Sequence, residues 1–548
     1  MQQPLSNNEY RVQHRATPPP PSEYLQNHYH FSNFEELWTR VASTVSQSPS
    51  EHRASALSRA TDLSSEGACV GVEQAFYSIM ASLEYCPAGN TLLAGTRPIR
   101  PNCAVCPSAR DDTVGLVRNV AEQFWRSCTG TGFYLGHLSD PVTEMRSLLA
   151  LHRQITFTDR IQRGNMMLLP VDHPRVFEFI DAKAQQGDGE QSANELYNVN
   201  ISIAFTSEQQ AHNALSQAQQ EHRGPLWKAA EAACQCGCPG IVFLHRFQRS
   251  PYELEALHCL PQLAPVLATA PCGELCMHEY EACNLGAMNL NAPSFYDAGG
   301  NTLHLDRLRA VTKCAIRFQD SVVDLIASPV EQCVHTMQQL RRVGLGVTGW
   351  ADLVAKLGLT YASDEAVLMA EQVASAIGSA AAEASMERAH TLGAYCFGDS
   401  SNTTCSRSRN SRCCRRRNIT VTCIQPTGHV TTLLGNKGYS IEPMFEEAAQ
   451  LSPETHMRVL SAWQRHVESG ISKTVNLPTS ATPEHVLHAF QVAIEAPLCK
   501  GIAVYRDGSR SAQPRPLLAL PPPLPLPLPL SPTHPVPHYT YCASGTCS

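Results

Sequence analysis

The stretch GTGFYLGHL (130–138) decides the fold class of this chain. It is a short apolar run bounded by glycines, and similar runs recur between segments of helical periodicity: RGNMMLLPV (163–171), LYNVNISIAF (196–205) and GIVFL (240–244). Short apolar runs that alternate with helical segments favour buried parallel strands in an α/β architecture. The sequence therefore predicts an α/β fold built around a parallel sheet.

The regions around these runs differ in composition. Residues 1–30 are polar and proline-rich and are predicted to be a disordered lead-in. Residues 31–100 are predicted to be a helical N-terminal region, because their apolar residues recur at spacings of three and four. The α/β core is expected over 101–510, followed at 511–548 by a flexible tail whose Leu-Pro tract favours polyproline II.

Composition excludes several classes of protein. The 548 residues are 43% hydrophobic and 17% charged, as in globular proteins, and the net charge of -7 gives no general signature of nucleic-acid binding. No secretory signal and no proline-free apolar run long enough for a membrane span are recognisable, so we expect a cytoplasmic protein without membrane contact. In a reducing compartment the 22 cysteines are expected to be mostly thiols.

A Ser/Arg-rich segment interrupts the core at 399–417. Its composition predicts an exposed insertion, and an RNA-binding or nuclear-targeting patch is the weaker alternative.

The stretch PCGELCMHEYEACNLGAMNL (271–290) concentrates three cysteines. CAVC (103–106) and CQCGC (234–238) supply fragments of zinc knuckles but not the spacing of a four-ligand site, so no metal centre is expected. Cys272 and Glu274 stand two residues apart, and in an extended loop such positions project to the same side. A thiol that removes an atom and a carboxylate that accepts a proton could then act on one substrate, although an ordinary turn remains the alternative.

Further thiols suggest a redox relay. A dithiol that reduces a substrate must be re-reduced by thiol–disulfide exchange with a mobile partner. Cys283 follows Cys272 closely, Cys103 lies far upstream, and Cys542 and Cys547 end the proline-rich tail. These positions supply a reactive thiol, a reducing pair and a shuttling pair.

These residues carry a resemblance to the catalytic subunit of ribonucleotide reductases, over about residues 75–510 and the last seven residues. The 271–290 stretch is similar to the family's PCGEQ…ACNLGSINL, RPNCAVCP (100–107) to SACFVLP, and CASGTC (542–547) to CESGAC. Other similar blocks follow in the family's order, among them RRVGLGVTGWADLVAKLG (341–358), IQPTGHVTTLLGNKGYSIEP (424–443), KTVNLPTSAT (473–482) and CKGIAVYRDGSR (499–510). The resemblance implies the family's ten-stranded α/β barrel, of the ribonucleotide reductase/glycyl-radical type, with the reactive cysteine on a loop through its middle.

The resemblance also implies roles for the cysteines. Cys272 would be the thiyl radical that abstracts the ribose 3′-hydrogen, and Glu274 would take the 3′-hydroxyl proton. Cys103 and Cys283 would be oxidised to a disulfide as the 2′-hydroxyl leaves as water. The terminal pair would pass electrons to them from thioredoxin or glutaredoxin.

Binding residues follow from the same resemblance. A glycine-containing turn at a helix start can present N–H groups to substrate phosphates, with an ordinary loop as the alternative. The implied substrate-binding residues are Pro426, Thr427, Gly428, His429, Val430, Thr431, Asn102 and Ala270. The loop that would relay a nucleoside triphosphate effector to the ribonucleotide substrate contains Arg160, Arg163, Gly164 and Asn165. A homodimer is a possible assembly.

The source of the radical divides the family. Class I enzymes receive the radical from a small second subunit through adjacent tyrosines, but here Val504 precedes Tyr505. Valine has no oxidisable phenol, so the sequence favours the class II type, which uses adenosylcobalamin; Tyr505 keeps class I open.

One departure argues against activity. The family places Asn two residues before the radical cysteine, where this chain has Ala270. Loss of a positioned hydrogen bond commonly costs about 1–3 kcal/mol. The competing hypothesis is therefore a degenerate homologue that serves as an interaction scaffold.

Overall fold

The structure is a computed structural model that describes residues 21–61, 68–155, 164–184, 199–297, 302–395 and 416–509. The predicted roles of Arg160, Arg163, Cys542 and Cys547 fall outside the described residues, as does the tail 511–548.

The strands are short. Within the described residues they are β1 (Tyr85–Pro87), β2 (Cys103–Val105), β3 (Gly130–Tyr134), β4 (Asn165–Pro170), β5 (Val199–Phe205), β6 (Gly240–Phe243), β7 (Ala268–Thr269), β8 (Cys276–Met277), β9 (Leu285–Asn289), β10 (Gly344–Thr348), β11 (Thr474–Leu477) and β12 (Gly501–Arg506). The four apolar runs that predicted strands form β3, β4, β5 and β6, so that prediction is confirmed.

A seven-stranded sheet with the order β11-β12-β6-β5-β4-β3-β2 forms the centre of the fold. Neighbouring strands from β2 to β6 are all parallel, and every residue of β3, β4 and β6 is buried. Strands covered on both faces need apolar side chains throughout, which is why their sequences lack a polar alternation. The predicted α/β fold with a parallel sheet is confirmed.

The expected ten-stranded barrel is not present as one continuous sheet in the described part of the chain. β12 is antiparallel to β6, β9 pairs with β1 and β10 in a separate three-stranded sheet, and β7 pairs with β8 alone. Isolated bridges connect the sheets at Ala104–Ala282, Leu345–Thr422 and Ile424–Ile471. Because only single residue pairs align at these points, the hydrogen-bond ladder is interrupted there.

Helices surround the strands. They are α1 (Pro21–Tyr29), α2 (Phe34–Ser46), α3 (Pro49–Thr61), α4 (Ala68–Ala81), α5 (Val114–Arg126), α6 (Pro141–Gln154), α7 (Val176–Ala184), α8 (Glu208–Glu221), α9 (Gly224–Cys236), α10 (Leu244–Gln248), α11 (Pro251–Cys259), α12 (Leu305–Val323), α13 (Glu331–Leu340), α14 (Trp350–Lys356), α15 (Asp364–Leu392), α16 (Gly428–Leu433), α17 (Phe445–Ala448), α18 (Pro453–Gln464) and α19 (Pro483–Glu495). Within the described ranges, no helix combines the length and apolarity needed to cross a membrane.

The two largest of the three apolar clusters in the described residues organise the interior. The larger one lies between the helices and the strands. The smaller one lies around the β7–β8 hairpin and includes the buried cysteines Cys276, Cys283 and Cys423. The hairpin and these thiols therefore lie inside the fold rather than on its surface.

The end of the Ser/Arg-rich segment differs from the exposed insertion that the sequence predicts. Arg416 and Arg417 are buried, with exposed fractions of 4% and 7%. Arg416 forms an ion pair with Glu468 at 2.8 Å, and Arg417 lies 3.5 Å from the buried carboxylate of Asp320. The half-buried carboxylate of Glu468 and the fully buried carboxylate of Asp320 explain why these two charged side chains are held in the core.

Candidate active site

The β7–β8 hairpin presents Cys272 and Glu274 on the loop between its strands. Ala270 N donates to the carbonyl of Leu275 at 2.7 Å, and Gly273 N donates to the carbonyl of Ala270 at 2.9 Å. Gly273 has φ +81°, a left-handed conformation that glycine adopts without a steric penalty. These bonds make the loop a compact turn whose two functional side chains are fixed relative to each other.

A glycine on β3 allows the hairpin to enter the fold. A Cβ atom at Gly132 would overlap the carbonyl oxygen of Thr269, so a larger residue would displace the hairpin. On the far side of the loop, Gly470 N donates to the carbonyl of Glu274 at 2.8 Å. The hairpin is thus held by packing against Gly132 on one side and by the hydrogen bond from Gly470 on the other.

Glu274 is buried without a partner for one carboxyl oxygen. Its exposed fraction is 2%, and Oε2 has no hydrogen-bond partner among the residues that the structure describes. Burial raises the pKa of Glu274 to about 7, because the charged form loses its hydration without gaining a cation. A carboxyl group with this pKa can accept and return a proton near neutral pH.

The Cys272 thiol faces a cavity of about 520 Å³. Its accessible surface is open to this cavity, while the surrounding protein desolvates the sulfur. Burial, and then the nearby Glu274 and Cys103, raise the pKa of Cys272 well above its usual value. At neutral pH the group is a thiol. Since nucleophilic cysteines act as thiolates, this environment disfavours nucleophilic catalysis and suits chemistry on the S–H bond.

Cys103 and Cys283 lie opposite each other on paired backbone segments. Cys283 N donates to the carbonyl of Cys103 at 2.9 Å, next to the antiparallel bridge between Ala104 and Ala282. Hydrogen-bonded residues opposite each other on antiparallel segments have Cα atoms about 5.5 Å apart, which is within the range that a disulfide spans. The structure therefore brings together the two cysteines expected to form the reducing pair.

The predicted phosphate turn divides between cavity wall and core. Pro426 and Gly428 line the cavity, whereas Val430 and Thr431 are buried. Thr427 has φ +61° at the start of α16, and its hydroxyl accepts from Ser440 N at 2.8 Å.

His429 of the same turn faces the N-terminal helix α1. Its Nδ1 lies 3.2 Å from the hydroxyl of Tyr29.

Other predicted binding residues have structural contacts. Asn102 Oδ1 accepts from Asn90 N at 3.0 Å, and Ala270 is fully buried in the smaller apolar cluster. Asn165 Oδ1 accepts from Trp125 Nε1 at 2.8 Å, so its side chain belongs to a buried polar group. Gly164 lies against Pro271, where an added Cβ would be 3.4 Å from the proline Cβ.

Sequence reasoning missed several groups at the cavity. Glu442 and Lys473 line it and form an ion pair, and Lys473 Nζ also lies 2.9 Å from His456 Nδ1. Cys423 is buried close enough to Glu274 for that carboxylate to raise its pKa, after burial itself. The partners of these groups are distant in sequence, so no local pattern indicated them.

The CAVC and CQCGC fragments carry thiols of the kind that bind zinc. In the described ranges no three His, Cys, Asp or Glu side chains are grouped as they would be around a metal ion.

Comparison with known proteins gives concordant results. A protein-family model described as "Ribonucleotide reductase, barrel domain" matches residues 206–410 and 417–505. A vitamin B12-dependent ribonucleoside-diphosphate reductase of Mycobacterium tuberculosis (strain CDC 1551 / Oshkosh) is 30% identical over 539 residues, covering 81% of this chain and 74% of the relative. A protein of the same name from Thermoplasma acidophilum is 28% identical over 529 residues, covering 80% of this chain and 65% of the relative. The resemblance found in the sequence is confirmed.

Proposed function

The chain belongs to the ribonucleotide reductase family, and from that premise we propose that it converts ribonucleotides to deoxyribonucleotides by radical chemistry at Cys272. The observation that carries this proposal is the grouping inside one fold of a neutral thiol on a cavity wall, a buried carboxyl with a pKa of about 7, and two opposed cysteines. Each is a part that the reaction needs.

The proposed reaction balances with these groups. Cys272, as a thiyl radical, takes the hydrogen atom from C3′ of the ribose, and Glu274 takes the 3′-hydroxyl proton. The 2′-hydroxyl leaves as water with a proton from one thiol of the Cys103–Cys283 pair. The other thiol hydrogen goes to C2′, so the pair supplies two electrons in all and becomes a disulfide, and Glu274 returns its proton to the 3′-oxygen. The hydrogen atom then returns from Cys272 to C3′, which regenerates the thiyl radical.

We propose adenosylcobalamin as the radical source, since similar relatives are named vitamin B12-dependent. The cavity beside Cys272 has a largely apolar wall that includes Ile471 and Val504, and Phe445 on its lining is 42% exposed. Apolar surface of this kind fits a large organic cofactor, so these residues and Tyr505 would hold it. When bound, the cofactor supplies the organic radical that oxidises a thiol to a thiyl radical.

We propose that the strands close into the family's ten-stranded barrel. The parallel strands β2 to β6 would form one half. The second half is supported by a series of parallel pairings. β9 pairs with β10, Leu345 of β10 pairs with Thr422, Ile424 pairs with Ile471, and β11, which follows Ile471, pairs with β12. Antiparallel contacts join the halves at β6–β12 and Ala104–Ala282.

We propose a thioredoxin-type protein as the reductant, acting through Cys542 and Cys547. Cys542→Ser should keep turnover with a small dithiol and lose it with thioredoxin or glutaredoxin, because only the protein reductant needs the tail. Equal losses with both reductants would remove the shuttle role. An effector nucleotide, a homodimer and a cytoplasmic location stay predictions.

One assay tests the function. The purified chain is incubated with ribonucleoside diphosphates or triphosphates, a dithiol and adenosylcobalamin, and deoxyribonucleotides are separated and quantified. We expect product only with the cofactor, and none from Cys272→Ser. Absence of product with every radical source would contradict the proposed enzymatic activity. Turnover that needs a second subunit instead of the cofactor would contradict the class II assignment.

A further inference from the structure

The peptide that precedes Cys272 is held by a side chain from β5. Asn200 Nδ2 donates to the carbonyl oxygen of Pro271 at 2.8 Å. A carbonyl can only accept, so the amide nitrogen of Asn200 must face it. This contact joins residues 71 positions apart and connects the sheet to the loop.

The bond acts on the geometry of Cys272 itself. A peptide unit is planar from one Cα to the next, so the direction of the Pro271 carbonyl fixes the plane that contains the nitrogen and Cα of Cys272. The ring of Pro271 restricts the φ angle of Pro271 itself, the residue just before Cys272. Control of one oxygen atom therefore sets the position from which the thiol enters the cavity.

The ring of Pro271 is confined by neighbouring strands. A Cβ added at Gly130, on β3, would lie 3.1 Å from the proline Cγ, and one added at Gly164, just before β4, would lie 3.4 Å from its Cβ. Consecutive strands thus supply two packing surfaces and then, on β5, the hydrogen-bond donor Asn200. The amide bond is the directional contact in this group.

We propose that Asn200 is a positioning residue that holds the Pro271–Cys272 peptide and thereby places the Cys272 thiol for reaction. This inference rests on the proposed function for its effect on turnover, but its effect on the thiol can be measured without turnover. Asn200 also lines the cavity, so direct contact with substrate is the competing explanation.

The first test uses steady-state kinetics. Asn200→Asp keeps the shape of the side chain and removes the donor, and Asn200→Ala removes both. A displacement of a reacting group by about 1 Å can cost about 100-fold in rate, so we expect kcat to fall by about 10- to 100-fold in both variants with KM little changed. A raised KM with unchanged kcat would overturn the proposal, because it would mean that Asn200 binds substrate. Wild-type kinetics in Asn200→Asp would overturn it as well.

The second test reads the thiol directly. Iodoacetamide modification of Cys272 is followed by mass spectrometry of its peptide, with Tm measured as a folding control. Release of the loop should lessen the desolvation of the sulfur, which favours the reactive thiolate and should raise its modification rate by about threefold or more. The comparison variant is Ser202→Ala, on the same strand and cavity wall, whose hydroxyl donates to the sulfur of Met166 at 3.6 Å. It should leave the modification rate unaltered.

The two tests separate the possible failures. Unchanged modification in both Asn200 variants, or an equal increase in Ser202→Ala, would overturn the positioning role even in an active enzyme. If wild-type protein makes no deoxyribonucleotide, the proposed function fails, while the modification rates still decide whether Asn200 positions the thiol. If Asn200→Ala does not fold, the isosteric Asn200→Asp carries both measurements.

Discussion

Two buried glutamates, Glu253 and Glu274, lie in the same interior, but their pKa values are shifted in opposite directions. Glu253 accepts from Arg342 at 2.7 Å and lies 3.0 Å from His278, and although burial opposes it, these partners lower its pKa to about 2. Glu274 has no cation among its described contacts, and burial raises its pKa to about 7. The side chains are chemically identical, so the difference lies in the partners.

The comparison separates a structural charge from a chemical one. A buried carboxylate with a paired guanidinium stays ionised, and loss of either partner leaves the other charge buried and uncompensated. A buried carboxyl without a cation destabilises the folded state when it ionises, but its proton is exchangeable at neutral pH. We expect substitutions at the two positions to affect different properties.

The largest expected effect is the loss of turnover in Glu274→Gln. The amide cannot accept the 3′-hydroxyl proton, and general-base catalysis typically contributes about 100- to 10,000-fold, so kcat should fall by that range. Tm should stay the same or rise, because the substitution removes a buried carboxyl that lacks a cation. Retained kcat with a lowered Tm would place Glu274 among the structural charges.

The next effect is on stability, in Glu253→Gln. The substitution leaves Arg342, which is fully buried, with Glu281 as its remaining acid at 2.6 Å. Breaking one side of a buried ion pair costs about 3–5 kcal/mol, so we expect a clearly lowered Tm with near wild-type activity per folded molecule. Glu122→Gln, which removes an exposed helical ion pair, is the control and should change stability by less than about 1 kcal/mol. An equal Tm in the two variants would contradict the structural role.

A smaller effect is the pH dependence of turnover. Because Glu274 must be ionised to accept a proton and has a pKa of about 7, kcat should rise about tenfold per pH unit below 7 and level off above it. The residual kcat of Glu274→Gln should not show this rise with pH. A profile centred near the ordinary glutamate pKa of about 4.3 would contradict the effect of burial.

The smallest effects are the opposite pH dependences of stability. The folded pKa of Glu274 is raised, so its favourable contribution is present below the unfolded pKa of about 4.3 and is lost as pH rises towards 7. The folded pKa of Glu253 is lowered, so its contribution is present above about 4.3 and is lost as pH falls towards 2. Relative to wild type, the Tm of Glu274→Gln should therefore increase as pH rises from about 4.3 towards 7. The Tm deficit of Glu253→Gln should shrink as pH falls from about 4.3 towards 2. Parallel curves would contradict the comparison.

The sequence predicts what depends on local pattern. The run NMMLLP is apolar except for Asn165 and forms β4 at Asn165–Pro170, since a strand buried on both faces needs mostly apolar residues. The two-residue spacing of Cys272 and Glu274 predicted that the thiol and the carboxylate could act on one substrate, but from an extended loop, where the structure has a compact turn. These features depend on residues near one another in the chain.

The sequence does not predict contacts between distant segments. Arg342 and Glu253 are 89 positions apart, so no local pattern separates Glu253 from Glu274. Arg416 and Arg417 end a Ser/Arg-rich run that is typical of an exposed segment, yet the carboxylates of Glu468 and Asp320 hold them in the core. No sequence pattern indicated the contact between Asn200 and Pro271, because the acceptor is a backbone carbonyl, which every residue has.

The most direct test of the central claim is the redox state of Cys103 and Cys283 after a single turnover. Fully reduced Cys542→Ser/Cys547→Ser protein, in which the tail cannot re-reduce the pair, is mixed with ribonucleotide and adenosylcobalamin without added dithiol, and disulfides are mapped by mass spectrometry alongside the deoxyribonucleotide formed. We predict a Cys103–Cys283 disulfide in an amount equal to the product, and neither disulfide nor product in Cys272→Ser. Deoxyribonucleotide formed while both cysteines stay reduced would contradict the account.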